Sequence, residues 1–387
     1  MNAKHVLACA LVLLLAAGAT AVRELTPKER LGKLLFEDTN LSTPRGQDCG
    51  ACHGTEVGWT GPDQGLNAHG AVYEGAMAGR FGNRKPLASA YASFSPDFHF
   101  DDARGEFIGG NFWDGRAANI VEQAKGPFLN PLEQNNPDAR AVCLLVDPLR
   151  YGALFEEVFG PGSLNCIETV PRTYDYIAEA IAAYEASGEM NQFSSKYDCY
   201  LAGRVQLTDQ ERRGLELFNG KANCARCHPS QPGPYSERPL FTNFTYENVG
   251  VPRNPENPFY GMPKVFNPDG RDYVDVGLAD TLKKADYPPD VVRAHRGKMK
   301  VPTLRNVGKR PYPGFVKAYM HNGVFKSLTE VIQFYNTRDV SGRWPAPEVP
   351  ENVNKKDIGN LGLTDQEVED IVAFLNTLSD GYPLPKG

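Results

Sequence analysis

Beyond its first two dozen residues the sequence has no long apolar run, and its aliphatic stretches are short. That excludes a membrane-spanning helix from the body of the chain and predicts a soluble mature protein. There is no excess of positive charge either. Lys and Arg number 41 against 47 Asp and Glu, a formal net charge of −6, and nothing points to nucleic acid. No stretch reads as a convincing sheet. Gly and Pro are plentiful instead, at 38 and 30, as in a loop-rich protein, and segments 251–268 and 345–350 read as loops.

The N-terminus has the pattern of a secretory signal. Lys4 and His5 precede an apolar run from Val6 to Ala17 that is too short to span a bilayer comfortably, and Ala19-Thr20-Ala21 is a small-x-small cleavage site. Residues 1–21 are therefore read as a signal peptide, removed together with Cys9. The remaining length is enough for two domains.

Two pentapeptides carry the chemistry. Cys49-Gly50-Ala51-Cys52-His53 and Cys224-Ala225-Arg226-Cys227-His228 both read Cys-x-x-Cys-His, the attachment signature of a c-type haem. Two thiols three positions apart can each add to one vinyl group of a porphyrin. The next residue, His, then supplies an axial imidazole. A thioredoxin-type pair needs no adjoining His, and a zinc site would use both Cys pairs on one metal. Two complete motifs far apart predict two covalent haems. Bacterial c-type haems are attached outside the cytoplasm, which agrees with export to the periplasm.

The motifs sit in an internal repeat. Residues 25–36 match 207–218 at seven offsets: Leu, Thr, Glu, Arg, Gly, Leu and Phe. Each copy opens with Thr-x-x-Glu, a capping box that starts a helix, and each leads into a haem motif. A third capping box, Thr364 to Glu367, opens an amphipathic helix of the kind that packs on the first helix of a cytochrome c module. The expected fold is mainly α: two cytochrome c-like haem domains, 22–203 and 204–387, with long irregular loops. Helices are clearest at 174–187, 207–218 and 364–378. Of the cysteines left over, Cys143 and Cys166 flank one short helical segment and form the favoured disulfide, leaving Cys199 free.

The residues between the haem motifs resemble the bacterial dihaem cytochrome c peroxidase and MauG superfamily, closer to its MauG-like branch. The resemblance rests on Asn111-Phe112-Trp113-Asp114-Gly115-Arg116-Ala117, on Glu122-Gln123-Ala124-Lys125-Gly126-Pro127 and on Asn130-Pro131-Leu132-Glu133. Further on it rests on Val301-Pro302-Thr303-Leu304-Arg305-Asn306-Val307 and Tyr319-Met320-His321-Asn322-Gly323. It implies that the haem of His53 meets hydrogen peroxide, with Gln123 and Glu133 on its open side. A carboxylate near the iron can move a proton from the near peroxide oxygen to the departing one, and an amide can hold the peroxide by hydrogen bonds. Trp113 would lie between the porphyrins as an oxidisable bridge.

The same resemblance implies the remaining ligands. On the haem of His228 the opposite position falls on Tyr335, as in MauG-like members, whereas ordinary peroxidases have Met there. A phenolate stabilises oxidised iron better than a thioether does. Met262, Met299 and Met320 are the other candidates, and His321 lies nearby. His69 sits about where ordinary members carry a loop ligand for the first haem, with His99 and His295 as alternatives. Family members also place a calcium ion between the domains. Asn83 is near the expected place, beside the carbonyl-bearing loop from Asn306 to His321.

These features predict an exported dihaem enzyme that uses hydrogen peroxide to form high-valent haem iron and oxidises side chains of a partner protein, as MauG-like enzymes do. Reduction of peroxide to water with electrons from a small redox protein is the second reading. A non-catalytic dihaem electron carrier is the third, although a carrier has no need of Gln123 and Glu133.

Overall fold

The computed structural model describes residues 24–384, so the segment read as a signal peptide lies outside the described residues. Helices are the chief regular structure. In chain order they are α1 (Pro27–Phe36), α2 (Gln64–Ala68), α3 (Ile120–Leu129), α4 (Ala139–Leu145), α5 (Pro148–Phe159), α6 (Val170–Glu185), α7 (Lys196–Leu201), α8 (Asp209–Asn219), α9 (Leu278–Lys284), α10 (Pro289–Ala294), α11 (Leu328–Thr337) and α12 (Asp365–Asn376). Two antiparallel pairs join them, β1 (His99–Asp101) with β2 (Glu106–Ile108) and β3 (Tyr246–Glu247) with β4 (Met299–Lys300). Strands of two or three residues are too short to leave an alternating pattern in the sequence. Most described residues lie outside helices, so "mainly α" fits the regular elements and not the whole chain.

The repeat has a clear structural meaning. The capping boxes of Thr26 with Glu29, Thr208 with Glu211 and Thr364 with Glu367 are all formed. α1 packs on α6, and α8 packs on α12. Each crossing passes over the repeat's glycine. A Cβ on Gly32 would lie 1.8 Å from the Ala180 carbonyl oxygen, and one on Gly214 would lie 1.9 Å from that of Asp370. The Gly shared by both copies therefore lets two helix backbones touch.

Two apolar cores follow from these pairs. One gathers Leu31, Phe36, Trp59, Ile177 and Tyr184, and the other gathers Phe218, Phe241, Phe334, Ile371 and Phe374. The chain crosses between them: Leu240 and Phe244 enter the first core, while Tyr197 of α7 enters the second. The Cys143–Cys166 disulfide is formed, and Cys199 is free and buried.

Candidate functional site

Each Cys-x-x-Cys-His segment folds into the same turn. The amide of His53 donates to the Cys49 carbonyl at 3.0 Å, and that of His228 donates to the Cys224 carbonyl at 2.9 Å. Each turn lines a cavity. The smaller, with about 1320 Å³ of empty space, is walled by Cys49, Cys52, His53, Trp113, Gln123 and Glu133. The larger, about 1730 Å³, is walled by Cys224, Cys227, His228, Trp113, His321 and Tyr335. Trp113 thus belongs to both. Among the described residues no helix is long and apolar enough to cross a membrane.

The residues present fit a haem in each cavity. His53 Nδ1 lies 3.1 Å from the Trp59 carbonyl oxygen and 3.0 Å from Ser89 Oγ. His228 Nδ1 lies 2.8 Å from the Phe241 carbonyl oxygen. A carbonyl oxygen only accepts, so each Nδ1 carries the proton, and Nε2 keeps the lone pair a metal requires. Burial pushes both imidazoles down to about 4, which keeps them neutral at neutral pH. The four motif thiols are free of disulfides.

One wall of the smaller cavity is built by α3 and the turn after it. Asn119 caps α3 by accepting from the Glu122 amide, and Gln123 stands on its first turns. α3 ends at Asn130, whose Nδ2 donates to Glu133 Oε1 at 2.7 Å. Burial raises the Glu133 carboxyl, and the attraction of Arg116 offsets part of that rise. Arg116 is itself held by Asp114 at 3.0 Å and stacks 3.6 Å from the Phe112 ring centroid. Glu185 also lines this cavity, and burial pushes it up to about 8.

Trp113 is clamped from two sides. Its Nε1 donates to the Lys85 carbonyl at 2.9 Å, and its carbonyl accepts from the Lys300 amide at 2.8 Å. On the far side of the larger cavity, Ser327 caps α11, the helix that carries Tyr335. The Tyr335 hydroxyl is 4.0 Å from Met320 Sδ, and burial raises its pKa well above the ordinary phenol value. Met299 lines the same cavity, as Met320 does. His321 is buried there, with Nε2 lacking a hydrogen-bond partner among the described residues and its ring edge-on to Trp113 at 6.4 Å.

Other candidates lie elsewhere. His69 ends α2 with its side chain 73% exposed, 3.4 Å from Glu256, and lines neither cavity. His99 is exposed in β1, His295 packs on Phe107, and Met262 is buried away from both cavities. Asn83, the calcium candidate, lies against Tyr273 and Asn257. Its Nδ2 donates to the Tyr273 hydroxyl at 2.8 Å, and its carbonyl accepts from Asn257. Among the described residues there is no cluster of three or more His, Cys, Asp or Glu able to hold a metal ion.

Several functional-looking groups carry no sequence signal. Arg84 bridges Asp114 and Asp275, each at 2.6 Å, and ties the loop of Trp113 to the later part of the chain. Lys85, Lys300 and Lys317 are buried. A buried lysine without a carboxylate partner reads in sequence like any surface lysine. Only the run Gly82-Asn83-Arg84-Lys85-Pro86 next to a loop marked the place.

A family model described as di-haem cytochrome c peroxidase matches residues 26–206. The chain is 38% identical to the methylamine utilization protein MauG of Paracoccus denitrificans over 363 residues, 90% of this chain and 88% of that one. It is 27% identical to the cytochrome c551 peroxidase of Nitrosomonas europaea, over 94% of this chain and 84% of the other. Among solved structures, the diheme peroxidase BthA of Burkholderia thailandensis superposes with a TM-score of 0.79 at 34% identity. That match covers 93% of this chain and 88% of the other.

Proposed function

The chain belongs to the di-haem cytochrome c peroxidase family, and from that premise we propose an exported enzyme that takes up hydrogen peroxide in the smaller cavity and oxidises side chains of a partner protein by way of the larger one. The division into haem units at 22–203 and 204–387, with periplasmic residence, is part of this reading. The observation that carries it is the shared wall: Trp113 borders both cavities, with Glu133 on one side and Tyr335 on the other.

Bound haem iron would supply the redox centre at which the peroxide oxygen–oxygen bond is reduced. The chain's own residues do the rest. Glu133 takes the proton from the near peroxide oxygen and returns it to the leaving one. Its raised carboxyl suits both halves of that task. Gln123 orients the peroxide through its amide. Trp113, held by two main-chain hydrogen bonds, passes an electron across the wall. Tyr335, which lines the cavity of His228, would give a haem held there a hard oxygen donor, which favours oxidised over reduced iron.

One observation supports the peroxidase reading with a small redox donor. Met320 Sδ borders the same cavity as Tyr335 and is a softer alternative donor. Stopped-flow spectroscopy of the diferric protein with peroxide, together with electron paramagnetic resonance of the resting state, tests the proposal. One high-spin haem and rapid coupled changes at both are expected. Two low-spin haems and no response to peroxide would leave only an electron carrier.

A further inference from the structure

A carboxyl lies where the chain's own repeat has an aliphatic side chain. α6 meets α1 at Ala180, and α12 meets α8 at Asp370, in each case over the repeat's glycine. Counted from those crossings the two helices keep one register, Ile181-Ala182-Ala183-Tyr184-Glu185 against Ile371-Val372-Ala373-Phe374-Leu375. Ile, Ala and an aromatic ring recur, and the last position changes from carboxyl to aliphatic. Leu375 is buried and lines the larger cavity, while Glu185, only 3% exposed, lines the smaller. Each fills the corresponding slot of its own half.

A carboxyl in an apolar slot is costly to bury and is seldom kept without partners. Among the described residues Glu185 Oε2 has no hydrogen-bond partner, and the Ser89 hydroxyl is the side chain that bonds to the carboxyl. Ser89 is in turn fixed beside His53. Its amide donates to the Trp59 carbonyl at 3.0 Å, the oxygen that also lies 3.1 Å from His53 Nδ1, and its Oγ is 3.0 Å from the same Nδ1. With the proton on Nδ1, Ser89 Oγ accepts from the imidazole, and its own hydrogen is left for the carboxyl. Protonated or ionised, a carboxyl has an oxygen to receive it. The other half is built differently. The His228 ring meets the main-chain oxygens of Phe241 and Pro302.

We propose that Glu185 is a positioning residue for His53: through Ser89 it fixes the imidazole and draws on its Nδ1 proton, so that Nε2 is a stronger donor to iron bound there and oxidised iron is favoured over reduced. A hydrogen bond on the far nitrogen of a ligating imidazole raises its basicity in this way. With Leu375 in the matching slot, His228 has no such help. The inference rests on the reading that the haem of His53 is the one that meets peroxide, yet its test uses no peroxide, so either can fail alone.

The test is potentiometric titration of the haem-loaded protein, with a thermal melt of each sample, for the unmodified chain, Glu185→Leu, Glu185→Gln, Ser89→Ala and the double variant of Glu185→Leu with Ser89→Ala. Glu185→Leu gives the first half the residue of the second. It should shift the midpoint potential of the haem of His53 upward and leave that of His228 in place. Glu185→Gln keeps an oxygen for the Ser89 hydroxyl and should recover most of the unmodified potential. Ser89→Ala should match Glu185→Leu, and the double variant should go no further, because the carboxyl acts through the hydroxyl. A lower melt with both potentials unchanged would reduce Glu185 to a packing residue and overturn the proposal. So would equal shifts at both haems, or a double variant in which the two single shifts add. If Glu185→Leu does not load haem, Ser89→Ala decides: an unmodified potential at the haem of His53 would sink the idea.

Discussion

Trp113 Nε1 donates to the main-chain oxygen of Lys85 at 2.9 Å, in the wall shared by the two cavities. The bond fixes the indole plane relative to both haem motifs. Trp113→Phe removes the donor and leaves a buried carbonyl unpaired, at a cost of about 1–3 kcal/mol. Peroxide should still react at the haem of His53, while the response of the haem of His228 slows. Stopped-flow traces read at wavelengths diagnostic of each haem check this. Simultaneous unchanged responses would remove Trp113 from the path.

Glu133→Gln keeps the shape and the hydrogen-bonding capacity but ends proton transfer. The peroxide step should slow by about a hundredfold or more, with both haems still attached by mass. The raised carboxyl also sets a pH dependence. Only the ionised form acts as base, so the rate in the unmodified protein should fall as pH drops through a value above the ordinary carboxylate range. In Glu133→Gln that acid limb should vanish. A limb that persists belongs to another group.

The haem motifs were legible in the sequence because attachment demands two thiols and an imidazole at fixed spacing, whereas Gln123, Glu133 and Tyr335 were legible only through the family resemblance. The motif histidines and cysteines, Gln123, Glu133 and Tyr335 all line the two cavities. The capping boxes marked α1, α8 and α12 because three positions suffice to write one. What stayed hidden depends on long-range contacts. Nothing local distinguishes buried Lys317 from exposed Lys284, or announces that Arg84 meets an aspartate 191 positions away. His69 shows the reverse failure: a residue at a suggestive distance along the chain ends up exposed beside Glu256.

Tyr335→Met replaces a hard oxygen donor by a soft sulfur one in the larger cavity. Burial strongly disfavours the free phenolate, so ionisation there requires the positive charge of bound iron. The variant should raise the midpoint potential of the haem of His228, change its absorption spectrum and reduce oxidation of protein substrates. Potentiometric titration followed in the visible range is the measurement. Identical potential and spectrum would show that Tyr335 is not a ligand and shift attention to Met320 or Met299.

The two repeat glycines give the sharpest prediction about packing. Gly32→Ala and Gly214→Ala each drive a methyl into a backbone carbonyl, at 1.8 and 1.9 Å, where no side chain can swing away. The helices must separate, and overpacking of this kind costs about 1–3 kcal/mol or more. The propensity gain of Ala over Gly within a helix, up to about 1 kcal/mol, acts in the opposite direction. Gly152→Ala isolates that gain, because Gly152 lies within α5 with nothing inside 4 Å of its added Cβ. Thermal melts of the three haem-loaded variants should therefore split, with Gly152→Ala at or above the unmodified protein and the other two below it. If Gly214→Ala instead melted alongside Gly152→Ala, α8 and α12 could not cross as closely as the structure has them.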